Sequence, residues 1–335
     1  MARKMLKALA LLLAVGYCSL LLSQLTHPLK IVEIRPVPDR IVSNLLSNFT
    51  YKESPDETSI EDSVNKNITL EDIFISVKTS RHYQASRLPV ILKTWFQLAK
   101  EQTWFFTDVD NPLHQNQTNG HMINTHCPSY HQPKHLCCKT SIEYDHFLDS
   151  GKKWFCHFDD DNYVNIPRLV TVLQRYDHRL DWYLGRQSVN RPVYVNYQKK
   201  KILYFRFGTG GAGYCISRSL ALKMSPIASG GRFMSVCEGI RMPDDVAIGF
   251  VIEQLLKVNI TEVPEFHSHL EQMKLLPLNK LRDQISFGFF WKKNYKDTVN
   301  AVNVPGFSAR YDPTRFLSLH CFLFPYFQFC KLIRR

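Results

Sequence analysis

The sequence predicts an α/β domain built on a mixed, mostly parallel sheet, and three observations predict it. From about residue 71 onward, short apolar runs alternate with stretches of helical spacing. One of those runs ends directly in three carboxylates, the position where ligands collect in such sheets. The 335 residues are 44% hydrophobic and 13% aromatic, enough for a sizeable core.

Ahead of the sheet, Met1–Lys7 carries Arg3, Lys4 and Lys7, and Ala8–Leu25 follows without a charge. As a helix that run reaches about 27 Å at ~1.5 Å per residue, close to a thin secretory-pathway bilayer. Positive charge before it favours a cytoplasmic N-terminus and a lumenal remainder. A cleaved signal peptide is the rival reading, but Ser23, Gln24, Leu25, Thr26 and His27 offer a poor small-x-small site. The expected organisation is a cytoplasmic tail (1–7), a signal anchor (8–25), a polar stem (26–70) and a folded domain (71–335). Sequons at Asn48, Asn67, Asn116 and Asn259 all lie beyond the anchor. Of nine cysteines, Cys18 falls in the anchor, and the other eight show no C-x-x-C spacing. In an oxidising compartment those eight read as disulfide partners, in a connectivity that spacing alone does not give. The formal net charge is +12, yet the densest basic run, Lys199-Lys200-Lys201, reads as a solvated loop. No nucleic-acid partner is expected.

Within the domain, Asp72–Lys78 reads as a strand, Leu88–Leu98 as helical, and Thr103–Thr107 and Met122–Thr125 as strands. Cys138–Asp149 reads as a helix, Lys153–Phe158 as a strand, Pro167–Tyr176 as a helix and Trp182–Gly185 as a strand. Ser217–Met224 and Asp244–Leu256 complete the pattern as helices, and no internal repeat is present.

The chemistry gathers in four places. Asp159-Asp160-Asp161 closes the strand WFCHF, and three adjacent carboxylates repel one another unless a cation lies among them. Hard oxygen ligands suit Mg²⁺ or Mn²⁺ held jointly with substrate phosphates; the bland alternative is a solvated acidic turn or a helix cap. Asp244-Asp245 opens a helix, where a cap or dipole role competes with that of a general base. Phe207–Cys215 is glycine-rich but fits neither a Walker loop nor GxGxxG, so a tight turn lining an acceptor pocket is at least as good a reading as a phosphate cradle. Phe266-His267-Ser268-His269 offers two imidazoles, either of which could complete a metal site with Asp161. No G-x-S-x-G elbow or HExxH motif occurs.

Taken in order, DIFISVKT (72–79), QTWFFTD (102–108), WFCHFDDDNYVN (154–165), GTGGAGYCISRSLALKMSP (208–226), PDD (243–245), FHSHLE (266–271) and DPTRF (312–316) resemble the Fringe proteins. The resemblance implies a GT-A nucleotide-diphospho-sugar transferase fold over 71–335. It implies an inverting Golgi β-1,3-N-acetylglucosaminyltransferase, a single-pass type II membrane protein that moves GlcNAc from UDP-GlcNAc onto O-linked fucose. The implied acceptors are EGF-like repeats of Notch-type receptors or ligands, and the implied cofactor is Mn²⁺. By the same resemblance Asp161 and His269 are metal ligands, Arg87 and Asp160 contact the donor, and Asp245 is the catalytic base. Cys127–Cys138, Cys156–Cys215 and Cys321–Cys330 are the implied bridges, which leaves Cys137 and Cys237 unassigned. Departures from the family pattern fall at Gly208, at Ile227 and Val246 (expected to flank the acceptor site), and in the aromatic ending Phe324–Phe329. A related enzyme using UDP-galactose, or a catalytically weak glycan-binding protein of the same fold, are the alternatives.

Overall fold

In the computed structural model, which describes residues 68–130, 132–189, 191–197, 201–292 and 298–334, strands and helices alternate from Ile73 onward. The tail, the anchor, the stem to residue 67 with Asn48 and Asn67, and Lys199-Lys200 lie outside the described residues. Among the described residues no helix is long and apolar enough to cross a membrane.

Strand β1 (Ile73–Lys78) leads through α1 (Arg81–Lys93) to β2 (Thr103–Thr107), and α2 (Pro112–Gln117) leads to β3 (Met122–Asn124). Helix α3 (Pro133–Ser150) precedes β4 (Trp154–Asp159), β5 (Asn162–Val164), α4 (Ile166–Leu173) and β6 (Tyr183–Gly185). A hairpin of β7 (Val193–Tyr197) and β8 (Lys201–Phe205) comes before β9 (Tyr214–Ser217). Helices α5 (Arg218–Ala228), α6 (Arg232–Ile240) and α7 (Asp244–Gly249) follow, and α7 runs on into a π segment over Phe250–Leu255. The chain finishes with β10 (Thr261–Glu262), β11 (Ser286–Gly288), the hairpin β12 (Phe290–Lys292) and β13 (Thr298–Asn300), and α8 (Phe316–Leu323).

The central sheet has the order β10-β6-β9-β4-β1-β2-β3. All of its strands are parallel except β9, which is antiparallel to both β4 and β6. From β1 the chain steps outward to β2 and β3, then returns to place β4 on the opposite side of β1. Such a reversal opens a crevice beyond the carboxyl ends of the two strands, and Lys78 and Asp159 are the paired residues there. Because β9 runs the other way, the glycine-rich loop before it enters from this same end, with Tyr214 opposite His157.

Alternation divides the core between the two faces of the sheet. Ile73, Ile75 and Val77 of β1 join Trp154, Cys156 and Phe158 of β4 in one apolar cluster. Phe74 and Phe155 face the other, which α3, α5, α6 and α7 cover through Phe147, Leu220, Phe233 and Ile248. Disulfides join Cys127 to Cys138, Cys156 to Cys215 across the β4–β9 pair, and Cys321 to Cys330. A fourth, Cys137–Cys237, ties α3 to α6.

Several boundaries differ from the sequence reading. Helix α1 begins at Arg81, in a polar first turn that carries no apolar period, and a 3₁₀ turn over Trp95–Leu98 follows it. Residues 250–255 continue the predicted Asp244 helix with π rather than α hydrogen bonding. The aromatic ending packs around His320, whose ring lies 4.3 Å from that of Phe327 and 5.7 Å from that of Phe329. His320 Nδ1 meets the Tyr163 hydroxyl at 2.8 Å, so this segment braces β5 just after the three aspartates. Ile227 packs against the second apolar cluster and Val246 is buried within it, so both departures are packing positions.

The Cys137–Cys237 bridge closes a separation of 100 residues. Replacing both cysteines by Ala should lower the unfolding free energy by about 2–4 kcal/mol. An unchanged denaturant midpoint would show that α3 and α6 do not depend on it.

Candidate active site

The three aspartates leave β4 in different directions and meet different partners. Asp159 Oδ1 lies 3.2 Å from Lys78 Nζ. Burial alone would push its proton affinity up, but Lys78 and His157 hold the Asp159 carboxylate well below the ordinary range. Asp160 is 4% exposed and accepts from the Thr79 hydroxyl at 2.7 Å through Oδ2 and from the Arg87 guanidinium through Oδ1. Arg87 reaches over from α1, where its guanidinium stacks 3.8 Å above the Tyr83 ring, and its Nη1 also lies 3.2 Å from Asp161 Oδ2. The other Asp161 oxygen, Oδ1, is buried without a hydrogen-bond partner. Burial pushes the Asp161 carboxyl up to about 8; Arg87 opposes this while Asp159 and Asp160 add to it.

The segment carrying the histidines is brought to Asp161 by β11. The N–H of Phe289 donates to the Asp161 carbonyl at 2.9 Å and that of Gly288 to the His267 carbonyl at 3.1 Å. A side chain at Gly288 would put its Cβ 2.4 Å from the His269 nitrogen, so only glycine permits this approach. The two imidazoles, equivalent in sequence, are then told apart. His267 has both nitrogens engaged, Nδ1 with Glu271 at 3.1 Å and Nε2 with Gln284 at 2.8 Å. His269 stacks on Phe290, fits against the missing side chain of Gly211, and has a buried Nδ1 with no partner. Burial holds its proton affinity below the ordinary value, so the ring is neutral.

Asp161 Oδ1 and His269 Nδ1 are buried without hydrogen-bond partners, as is Asn162 Oδ1; a carboxylate oxygen suits Mn²⁺ and an imidazole suits it less, so the pair is a mixed donor set. Among the described residues no group of three or more His, Cys, Asp or Glu is arranged to hold a metal ion by itself. The residues therefore fit a cation that shares its coordination with a ligand's phosphates rather than one caged by protein.

On the opposite wall the acid pair divides. Asp244 is 5% exposed; its Oδ2 accepts from Lys78 Nζ and from the Thr140 hydroxyl, each at 2.6 Å. Asp245 is partly exposed and is held by the Gly210 N–H at 3.2 Å and the Val246 N–H at 2.8 Å. Burial and then Asp244 push the Asp245 carboxyl up to about 6. The glycine-rich loop thus positions this acid rather than presenting a phosphate cradle. Gly213, at φ +84°, sits where a Cβ would lie 2.3 Å from the Phe158 ring. Gly208 leaves room for the Tyr183 hydroxyl, which accepts its N–H at 2.9 Å.

The Fringe: Fringe-like family model matches residues 68–327. This chain belongs to that family. A Fringe glycosyltransferase of Drosophila melanogaster is 55% identical over 266 residues, covering 78% of this chain and 64% of its own length. The β-1,3-N-acetylglucosaminyltransferases lunatic fringe of Bos taurus and Homo sapiens are each 46% identical over 266 residues, covering 77% of this chain and 68% and 69% of theirs. This chain therefore matches just under two thirds of the fly protein. A glycosyltransferase involved in glycosylating the major capsid of PBCV-1 overlaps 64% of this chain and 92% of its own, at 13% identity and a TM-score of 0.32, too loosely to compare sites.

Lys78 and Thr140 carry no sequence signal of a place in this Fringe-like site, and Gly210 stands in the glycine-rich run without showing that its N–H holds Asp245. From sequence Asp244 reads as a cap, a dipole partner or a base, but it is one half of a buried ion pair. Asp244→Asn should lower stability by about 1–3 kcal/mol, because Lys78 keeps Asp159 but loses its closer carboxylate partner. A melting temperature within a degree of the parent protein would contradict that role.

Proposed function

We propose that this Fringe-like protein is an inverting β-1,3-N-acetylglucosaminyltransferase of the GT-A type. It moves GlcNAc from UDP-GlcNAc to the 3-hydroxyl of O-linked fucose on EGF-like repeats, including those of Notch-type receptors or ligands. Two observations carry the reading: Asp161 and His269 hold ligand atoms without partners, and Asp245, fastened to the glycine-rich loop by the Gly210 N–H, is a carboxylate of raised proton affinity. The activity for which the bovine and human relatives are named agrees with it. The same reading makes it a single-pass type II Golgi membrane protein with a lumenal catalytic domain. Arg3, Lys4 and Lys7 before the uncharged Ala8–Leu25 run support this, as do the four bridges and the exposed sequon residues Asn116 and Asn259.

Asp161 and His269 would hold Mn²⁺, which when bound offsets the charge on the departing diphosphate. Arg87 and Asp160 form the donor-side wall, with Arg87 free to exchange its Asp161 contact for a phosphate oxygen. Asp245 removes the proton of the fucose hydroxyl as that oxygen bonds to the anomeric carbon from the face opposite UDP. The bond to UDP breaks with its electron pair, and the proton stays on Asp245. No covalent enzyme intermediate is needed.

Transfer should be abolished by EDTA and restored by Mn²⁺, and Asp161→Asn should lose donor binding with turnover; full activity in EDTA would exclude the metal role. Asp245→Asn should keep UDP-GlcNAc and Mn²⁺ binding while turnover falls roughly 10²–10⁴-fold. Because a base must be deprotonated to act, kcat/KM should decline as pH drops through about 6. A flat profile from pH 5 to 8 would remove Asp245 from that role. A panel of UDP-GlcNAc and UDP-galactose against O-fucosylated and bare EGF repeats tests the substrate pair; preference for galactose, or binding without turnover, would favour a relative of different chemistry.

A further inference from the structure

One face of the sheet turns from apolar to charged while staying largely buried up to Asp159 at its edge. Alternation places Phe74, Ser76 and Lys78 of β1 beside Phe155, His157 and Asp159 of β4 on the face that α3 covers. Phe74 and Phe155 stack with ring centres 6.3 Å apart. One step toward the crevice, Ser76 and His157 are 0% and 1% exposed. The Ser76 hydroxyl donates to Glu143 Oε2 at 2.7 Å, and His157 Nδ1 lies 2.6 Å from that same oxygen. Another step on, Lys78 Nζ lies 3.2 Å from Asp159 Oδ1, 2.6 Å from Asp244 Oδ2 and 3.4 Å from His157 Nε2.

Five ionisable groups from four elements thus meet inside the protein: Lys78 from β1, Glu143 from α3, His157 and Asp159 from β4, and Asp244 from α7. The buried Asp244 and the partly exposed Asp159, on different elements, stay close because a shared cation compensates both. Helix α7 is short, and Pro243 before it supplies no capping side chain. What orients its first turn is the grip of Lys78 and Thr140 on Asp244. Asp245 is the next residue.

We propose that Lys78 is a positioning residue: one ammonium holding both Asp159 and Asp244 sets the first turn of α7, and with it the Asp245 carboxylate, against the end of β4. The Glu143–His157 pair behind it completes the charge balance and fixes where that ammonium stands. This rests on the reading of Asp245 as the base. The groups facing Asp245 are Asp244 on its own helix, Lys78 from β1, Asp159 from β4, the Gly210 N–H, and the Tyr183 and Tyr214 hydroxyls from β6 and β9.

The test uses the full chain and four variants: Asp245→Asn, Lys78→Met, Lys78→Met with Asp244→Asn, and Thr140→Val. For each, the melting temperature, the calorimetric affinity for UDP with Mn²⁺, and kcat and KM between about pH 5 and 8.5 are measured. Lys78→Met should lower kcat about 10²-fold, the loss expected of a displacement near 1 Å, with UDP affinity nearly unchanged. Its acid limb should move to higher pH, because Asp244 then stands uncompensated beside Asp245. Removing that charge in the double variant should return the limb and recover part of kcat, which a merely structural role for Lys78 would not do. Thr140→Val should lower kcat about tenfold at unchanged UDP affinity. It and the double variant decide the matter if Lys78→Met does not fold.

Parent-like kcat in Lys78→Met or, where that variant fails to fold, in Thr140→Val would overturn the inference, provided Asp245→Asn is inactive. A parallel loss of UDP affinity and kcat with an unmoved limb would also overturn it, making Lys78 a donor contact. So would a double variant that recovers neither kcat nor limb. Full turnover by Asp245→Asn overturns the base assignment itself, and this inference with it.

Discussion

Negative charge confined to one end of a sheet is the constraint on which this structure depends. Asp159, Asp160, Asp161, Asp244 and Asp245 converge where β1 and β4 end, and like charges so placed separate or take up protons unless they are compensated. Two side chains from the β1–α1 segment supply the compensation. Lys78 takes Asp159 and Asp244, while Arg87 takes Asp160 and shares Asp161. Burial shifts Asp160, Asp161 and Asp245 upward; of these, Asp161 keeps an oxygen without a hydrogen-bond partner and Asp245 has no cation in hydrogen-bond contact among the described residues. The chemistry proposed for the molecule falls on those two.

The fold follows from the same economy. The antiparallel β9 brings a glycine-rich loop to the carboxyl edge, where the Gly210 N–H holds Asp245 and the bare Cα of Gly211 admits His269. Strand β11 then ties the histidine segment to Asp161 through main-chain bonds and through the Ser286 hydroxyl, which accepts from the His267 N–H at 3.0 Å. The main-chain bonds constrain backbone rather than side-chain identity; Ser286, through its hydroxyl, and Gly288, where no Cβ can be accommodated, are the positions where identity matters. The aromatic ending makes a similar point. It departs from the family pattern, yet it packs on His320, which in turn supports Tyr163 of β5.

Much of this was legible in the sequence, for identifiable reasons. Strands β1, β2 and β4 are short apolar runs between polar turns, and a triple carboxylate directly after such a run leaves few bland explanations. The acid pair was visible, although which acid is free and which is buried was not: Asp244 and Asp245 differ only in what lies across from them. Lys78 was hidden for a different reason. A lysine ending a strand reads as the first residue of a solvated turn, and its two partners lie 81 and 166 positions away (159 − 78 and 244 − 78). Glu143 in mid-helix and His157 in mid-strand carry no motif either. Choosing between His267 and His269 required seeing that Glu271 and Gln284 already occupy the former. The three-residue strands β11, β12 and β13 are too short to show a period.

The central claim is that Asp161 and His269 face a common cation on the donor side while Asp245 stands apart from it. A crystal of the protein grown with Mn²⁺ and UDP, with anomalous scattering recorded at the manganese edge, tests it most directly. The account predicts one manganese peak within bonding distance of an Asp161 oxygen and the unpartnered His269 nitrogen, the remaining positions taken by diphosphate oxygens and water, and Asp245 unligated. A peak coordinated by Asp245, or by His267 in place of His269, would contradict it.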